Sequence, residues 1–121
     1  MSVSHADSAE HAMLRDTLRR FIEREMPRDE AKRWDSENHF PREVHGKLAD
    51  LGLMGLTVPE AHGGVGRDIR GVVIAIEELS TRSMAVSGAY IQSACYAALN
   101  LVEVGSERQQ QELLLVKQAL Q

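Results

Sequence analysis

Apolar residues recur at helical spacing through most of this 121-residue chain, and the pattern stops at one place, LGLMGLTVPEAHGGVG, residues 51–66. A proline, a run of glycines and one histidine leave that stretch neither helix nor central strand. The chain must therefore build helices on both sides of an irregular connector. Upstream, Leu14, Leu18, Phe21, Ile22 and Met26 fall at i, i+4, i+7, i+8 and i+12, one apolar stripe, with Arg15, Arg19, Arg20 and Glu23 off it. This first helix starts near Asp7 or Ser8, where Asp7-x-x-Glu10 has the spacing of a capping box. Pro27 ends or kinks it, because proline lacks an N–H donor and clashes with the preceding turn. RDEAKRWDSE reads as a short polar helix anchored by Trp34. FPREV opens a third helix. Pro41 suits its first position, Phe40 packs over its first turn, and Val44, Leu48 and Leu51 form its buried edge. Gly52 suits the C-terminal cap.

Within the connector, Leu53, Met54, Leu56 and Val58 read as a short extended segment tucked against the bundle. Pro59 bends the chain and residues 62–66 make a tight turn. Glycine-rich turns also cradle phosphates, but this one has no Gly-Lys-Ser/Thr ending and no G-x-G-x-x-G. His62 stands alone, and the five histidines show no ligand spacing, so no metal site is expected. Asp68 is placed to cap a fourth helix whose buried face is Ile69, Val72, Val73, Ile76 and Leu79, with Glu77 and Glu78 outside as solvated charges. A fifth helix runs roughly from Met84 to Val104 and is rich in small residues, among them Ala85, Gly88, Ala89, Ser93 and Ala94, which let a backbone or a ligand approach closely. Gly105 ends it, and Ser106-x-x-Gln109 is a capping box for a last helix. The expected fold is all-α, a bundle of about six helices in a single domain, 1–121.

Charge and composition narrow the function classes. The net charge of −4 and the lack of a basic stripe disfavour nucleic acid. A single cysteine, Cys95, excludes an internal disulfide and fits a reducing, cytoplasmic setting. The start, MSVSHADSAE, is not a secretory signal. Between Arg82 and Glu103 no residue is charged, a length that would cross a ~30 Å bilayer. Ser83, Ser87, Gln92, Ser93 and Asn100 lower its hydrophobicity, so a helix buried on most sides of a soluble bundle is expected instead of a membrane span. Cys95 has no partner histidine and reads as a small buried hydrophobe. No catalytic residue is expected in this chain.

Five motifs in order, LRDTLRRFIERE, W-D-x-E-x-x-F-P from Trp34 to Pro41, LADLGLMGLTVPEAHGGVG, EEL from Glu77 to Leu79 and VGSERQQQELL, resemble the N-terminal helical domain of the flavin-dependent acyl-CoA dehydrogenases and oxidases. The resemblance covers about residues 11–114. It implies an enzyme of three parts in which this helical domain is joined by a β domain and a C-terminal helical domain, both absent from residues 1–121. It implies FAD as cofactor, held mostly outside this chain, and α,β-desaturation of an acyl-CoA thioester by a carboxylate base that also lies elsewhere. This domain's implied share is one wall of the acyl pocket, carried over onto Gly88, Ala89, Gln92, Ser93 and Tyr96. Their spacing puts them on one helical face, and packing against the fourth helix would explain the same spacing. Tyr96 is the bulky member and would shorten the pocket. The chain alone is expected to be inactive, with an apolar face left for self-association or a partner chain. A stand-alone interaction or dimerisation module, or a split-enzyme subunit, is the alternative. The family's usual proline after the final leucine pair is replaced here by Leu115, Val116 and Lys117.

Overall fold

The computed structural model describes residues 7–114; Leu115, Val116 and Lys117 lie outside them. Six helices form and the described residues contain no strand. They are α1 (Ala9–Glu25), α2 (Arg28–Ser36), α3 (Arg42–Asp50), α4 (Ile69–Ser80), α5 (84–104) and α6 (Glu107–Leu113). α5 is continuous but not uniform. It starts as an α-helix, Met84–Ile91, passes through a π-helical stretch, Gln92–Leu99, and ends as α-helix, Asn100–Val104. α4 lies between α1 and α5, and α3 packs on α5 and on the connector. Leu18, Phe21, Ile22 and Met26 of α1 meet Trp34, Val44, Leu48, Ile74, Leu79 and Tyr90 in one core.

Local chemistry sets the helix ends. Ser8 caps α1, its hydroxyl accepting from the His11 amide at 3.2 Å. The expected Asp7–Glu10 box does not form, because Asp7 turns to Arg15 instead and accepts from its Nε at 2.8 Å. Pro27 ends α1 as expected and becomes the residue before α2. Pro41 sits one residue ahead of α3, not in its first turn, and is itself buried. Phe40 does lie over that turn, but the ring it meets is His45, 6.0 Å between centroids. Gly52 closes α3 in the left-handed region, φ 85°. Asp68 caps α4, accepting from the Gly71 amide at 2.9 Å, and its carboxylate also meets His11 Nε2 at 3.0 Å. At α6 the Ser106–Gln109 box is complete.

Four expectations fail for identifiable reasons. Leu51 is exposed, because α3 stops at Asp50 and the turn at Gly52 hands the buried position to Leu53. The segment after it is not extended; Leu53–Thr57 is a 3₁₀ helix, and a second short one spans Glu60–His62. α5 is not buried on most sides, since only Val86, Ser87, Tyr90 and Ala94 are buried along it. On α4, Ile69 and Val73 face outward while Gly71, Val72, Ile74, Ala75, Glu78 and Leu79 face inward. Being sandwiched between two helices gives α4 a wide buried arc, and that arc includes an acid.

Glu78 is only 6 % exposed. A buried carboxylate survives when charged donors replace water. Arg15 donates to it at 2.8 Å and Arg19 at 3.2 Å, so two arginines of α1 clamp one acid of α4. Burial pushes the Glu78 carboxyl up, and hydrogen bonds from Arg15 and Arg19 more than reverse that, leaving it below its ordinary value of 4.5. Arg15 also bridges Asp7 and Glu77. Arg15→Leu should lower unfolding stability at neutral pH by about 2 kcal/mol, since the acid then keeps one partner. A lowered folded-state value means the clamp contributes fully above pH 4.5 and is lost as the pH falls through that lower value. The gap between wild type and variant in urea unfolding should therefore shrink below pH 4.5; a constant gap, or one under about 0.5 kcal/mol at neutral pH, contradicts the clamp.

Candidate functional site on the outer face of α5

The inner face of α5 is fixed to the connector by two hydrogen bonds. The Tyr90 hydroxyl donates to the Leu53 carbonyl at 3.1 Å, and the buried Thr57 hydroxyl donates to the Ala94 carbonyl at 2.7 Å. Burial pushes the Tyr90 phenol well above its ordinary range, so it stays a donor. With Tyr90 and Ala94 turned inward, the opposite side of α5 is open.

The five residues singled out by spacing lie on or beside that open side. Gly88, Ala89 and Ser93 are half-buried, Gln92 is exposed, and Tyr96 is 66 % exposed. Packing against α4 does not account for Gly88, because a Cβ built there would meet nothing within 4 Å. The contacts to α4 come from other residues, such as Ser87, whose hydroxyl is 2.7 Å from that of Ser80. Tyr96 falls within the π-helical stretch, so α-helical spacing from Gly88 does not give its direction. Side chains reach the carbonyls of this region. Ser93 donates to Ala89 at 3.0 Å, and Asn100 donates to Tyr96 at 2.6 Å.

The sequence reading missed His45. It projects from α3 onto this face, half-buried, with its Nε2 3.4 Å from Ser93 Oγ. Burial lowers its pKa below 6.5, partly offset by a hydrogen bond with the Ala89 backbone. The imidazole is therefore neutral near pH 7. Its one local signal was the Phe40–Pro41 start of α3, which puts His45 where the ring of Phe40 packs. The other titratable candidates add no chemistry. Glu78 is spent on Arg15 and Arg19, and Cys95 is half-buried with its thiol pushed up by burial. Among the described residues no cluster of His, Cys, Asp and Glu could hold a metal ion. No helix among them is long and apolar enough to cross a membrane.

The glycine turn is a clamp and not a phosphate cradle. Its amides are spent internally: Gly64 N–H on Pro59, Val65 N–H on Gly55 and Gly66 N–H on Val58, at 2.9–3.1 Å. Gly64 lies so close to Val58 that a Cβ would stand 1.9 Å from its carbonyl oxygen. The stretch therefore serves to press Leu53–Thr57 against α5.

A protein-family model described as acyl-CoA dehydrogenase, N-terminal domain, matches residues 8–116. A probable acyl-CoA dehydrogenase, YngJ, of Bacillus subtilis is 30% identical over 102 residues, 84% of this chain and 27% of the relative. The 3-(aryl)acrylate reductase of Clostridium sporogenes is 32% identical over 106 residues, 87% of this chain and 28% of the relative. The mitochondrial short-chain specific acyl-CoA dehydrogenase of Sus scrofa is 36% identical over 103 residues, 84% of this chain and 24% of the relative. The chain thus spans about a quarter of the length of these curated relatives. A chain solved in work on the electron transferring flavoprotein of Acidaminococcus fermentans superposes with a TM-score of 0.84 over 93% of this chain and 30% of that one, at 23% identity, which shows the shared fold.

Two measurements test the geometry of this site. The His45 imidazole should titrate by NMR with a midpoint below 6.5, and a midpoint at or above that value contradicts its burial against α5. Thr57→Val keeps the shape and removes the donor to Ala94, so unfolding should show a loss of about 1 kcal/mol; an unchanged stability would mean the bond contributes nothing.

Proposed function

The chain belongs to the acyl-CoA dehydrogenase family, whose N-terminal domain it matches over residues 8–116, and from that premise we propose that it forms one wall of the acyl pocket in an FAD-dependent enzyme. The reaction would be the α,β-desaturation of an acyl-CoA thioester. The observation that carries this reading is the open, small-residue face of α5, where the space beside Gly88 is unfilled. An acyl chain needs an apolar surface without protruding side chains, and Gly88, Ala89 and Ser93 supply one. Gln92 and Tyr96 bound it. Neutral His45 behind Ser93 adds no charge for an apolar chain to desolvate.

The described residues do not fit a flavin site. Their glycine-rich turn has spent its amides on its own backbone, so it offers no cradle to a flavin phosphate. On this reading the flavin and the carboxylate base come from parts of the enzyme other than residues 7–114, and this domain orients the acyl chain and keeps water from it.

The alternative reading is an interaction module or a split-enzyme subunit. It is favoured by the large apolar side chains left in the open along α5, Met84 at 76 %, Tyr96 at 66 % and Val104 at 84 % exposure. A partner chain or a second copy would cover them.

A chimera tests the first reading. This chain replaces the matching quarter of the Sus scrofa relative, and kcat/KM is measured on butyryl and hexanoyl thioesters. Tyr96→Ala should shift the ratio toward the longer substrate by at least ~10-fold, the scale of one or two methylenes in an apolar pocket. An active chimera whose ratio does not move sinks the assignment of Tyr96 to the pocket. The 121-residue chain alone, given FAD and a dye acceptor, should turn over no acyl-CoA; measurable dehydrogenation would overturn the division of labour.

A further inference from the structure

α5 departs from an α-helix over eight residues, Gln92–Leu99, where its ladder is π-helical. Such turns mostly occur singly, as bulges inside α-helices, and frequently at functional sites. A run of eight needs something to hold it, and two side chains do so. Thr57, 2 % exposed, donates from the connector to the Ala94 carbonyl at 2.7 Å. Asn100 spends its own amide on the Ala97 carbonyl, and its Nδ2 donates to the Tyr96 carbonyl at 2.6 Å. In an uninterrupted α-helix the Tyr96 carbonyl would accept from the Asn100 amide instead. The Asn100 side chain therefore stands in for the backbone bond that the change of register removes.

The register decides where Tyr96 points. In an α-helix a residue eight positions past Gly88 stands ~80° beyond it around the axis. Bonds from i to i+5 put more residues in each turn, so each residue turns through less, and Tyr96 falls back toward the line of Gly88. The same change brings Ala94 back toward the line of Tyr90. Burial agrees with this: Ala94 and Tyr90 are both 0 % exposed, while Tyr96 is 66 % exposed.

We propose that Asn100, together with Thr57, is a positioning residue for substrate selection: it holds α5 in the π register that aligns Tyr96 with Gly88, and that alignment sets the length of acyl chain the domain accepts. The inference rests on the reading of the open α5 face as an acyl wall. Asn100 acts through the Tyr96 backbone. With the ladder returned to i→i+4, the ring swings off the Gly88 line and no longer closes the space beside Gly88.

Two variants separate the side-chain bond from mere structure. Asn100 is exposed, so Asn100→Ala opens no core and places a strong helix former there. Asn100→Ser restores a donor that reaches the carbonyl four residues back. In the 121-residue chain, NMR couplings across hydrogen bonds should show i→i+5 pairs through Gln92–Leu99, and contacts of the Tyr96 ring with Gln92 and Gly88. Asn100→Ala should return the Tyr96 carbonyl to the amide of residue 100 and remove the ring contacts; Asn100→Ser should keep both. In the chimera with the Sus scrofa relative, Asn100→Ala should shift kcat/KM from butyryl toward hexanoyl thioester by at least ~10-fold, through KM and not kcat, with Asn100→Ser near wild type. The NMR measurement needs no active chimera, and bonds and ring contacts unchanged in Asn100→Ala overturn the proposal by themselves. A ratio that moves with Tyr96→Ala but not with Asn100→Ala overturns the proposal and leaves the acyl wall standing. A ratio that moves with neither removes the acyl wall and the proposal with it.

Discussion

Tyr90 and Thr57 fix α5 from opposite directions. A phenol on α5 donates to the connector, and a hydroxyl on the connector donates back to α5. Both bonds are buried, so breaking either leaves a polar group dry and unpaired. They set the rotation of α5 about its axis, and with it which residues are core and which are available. The 3₁₀ turn Leu53–Thr57 carries the partner groups, and the glycine turn behind it holds that turn in place through Gly64 against Val58. The irregular stretch that interrupts the helical pattern thus determines the orientation of the candidate site without contributing a side chain to its open face.

Electrostatics does a second, separate job. α4 is the central helix and must bury two sides. One of those sides brings in Glu78, and the fold compensates with Arg15 and Arg19 from α1. A buried acid with two charged donors fixes the pairing of α1 with α4 more narrowly than apolar contacts do, because a rotated helix would strand the charge. His11 with Asp68 ties the starts of the same two helices together. The α1–α4 pair is the base on which the connector and α5 rest.

The helices were legible because a 3.6-residue repeat is local information. Ser106 with Gln109, Asp68 and Gly52 could be read as helix ends for the same reason, since a cap depends on neighbours three residues away. What could not be read depends on distant partners. Glu78 looks like a solvated charge until Arg15 and Arg19, 63 and 59 residues earlier, are brought beside it. His45 looks like a lone histidine until α3 is laid on α5. The π-helical stretch has no sequence mark; its carbonyls are met by Thr57 from the connector and by Asn100 from one turn on. At the candidate site the spacing of Gly88, Ala89, Gln92, Ser93 and Tyr96 was legible, while the emptiness beside Gly88 belongs to the packed structure alone.

The chain belongs to the acyl-CoA dehydrogenase family and spans about a quarter of its relatives' length; the proposal makes it a domain that shapes a pocket while the reacting groups lie elsewhere. The most direct measurement is the absorbance spectrum of the purified chain after incubation with FAD and gel filtration, read together with its mass in solution. A protein peak without the visible flavin band is the predicted result, and the mass then tells whether a second copy covers the open face of α5. A flavin band that travels with the protein would contradict the claim that the cofactor site lies outside residues 7–114.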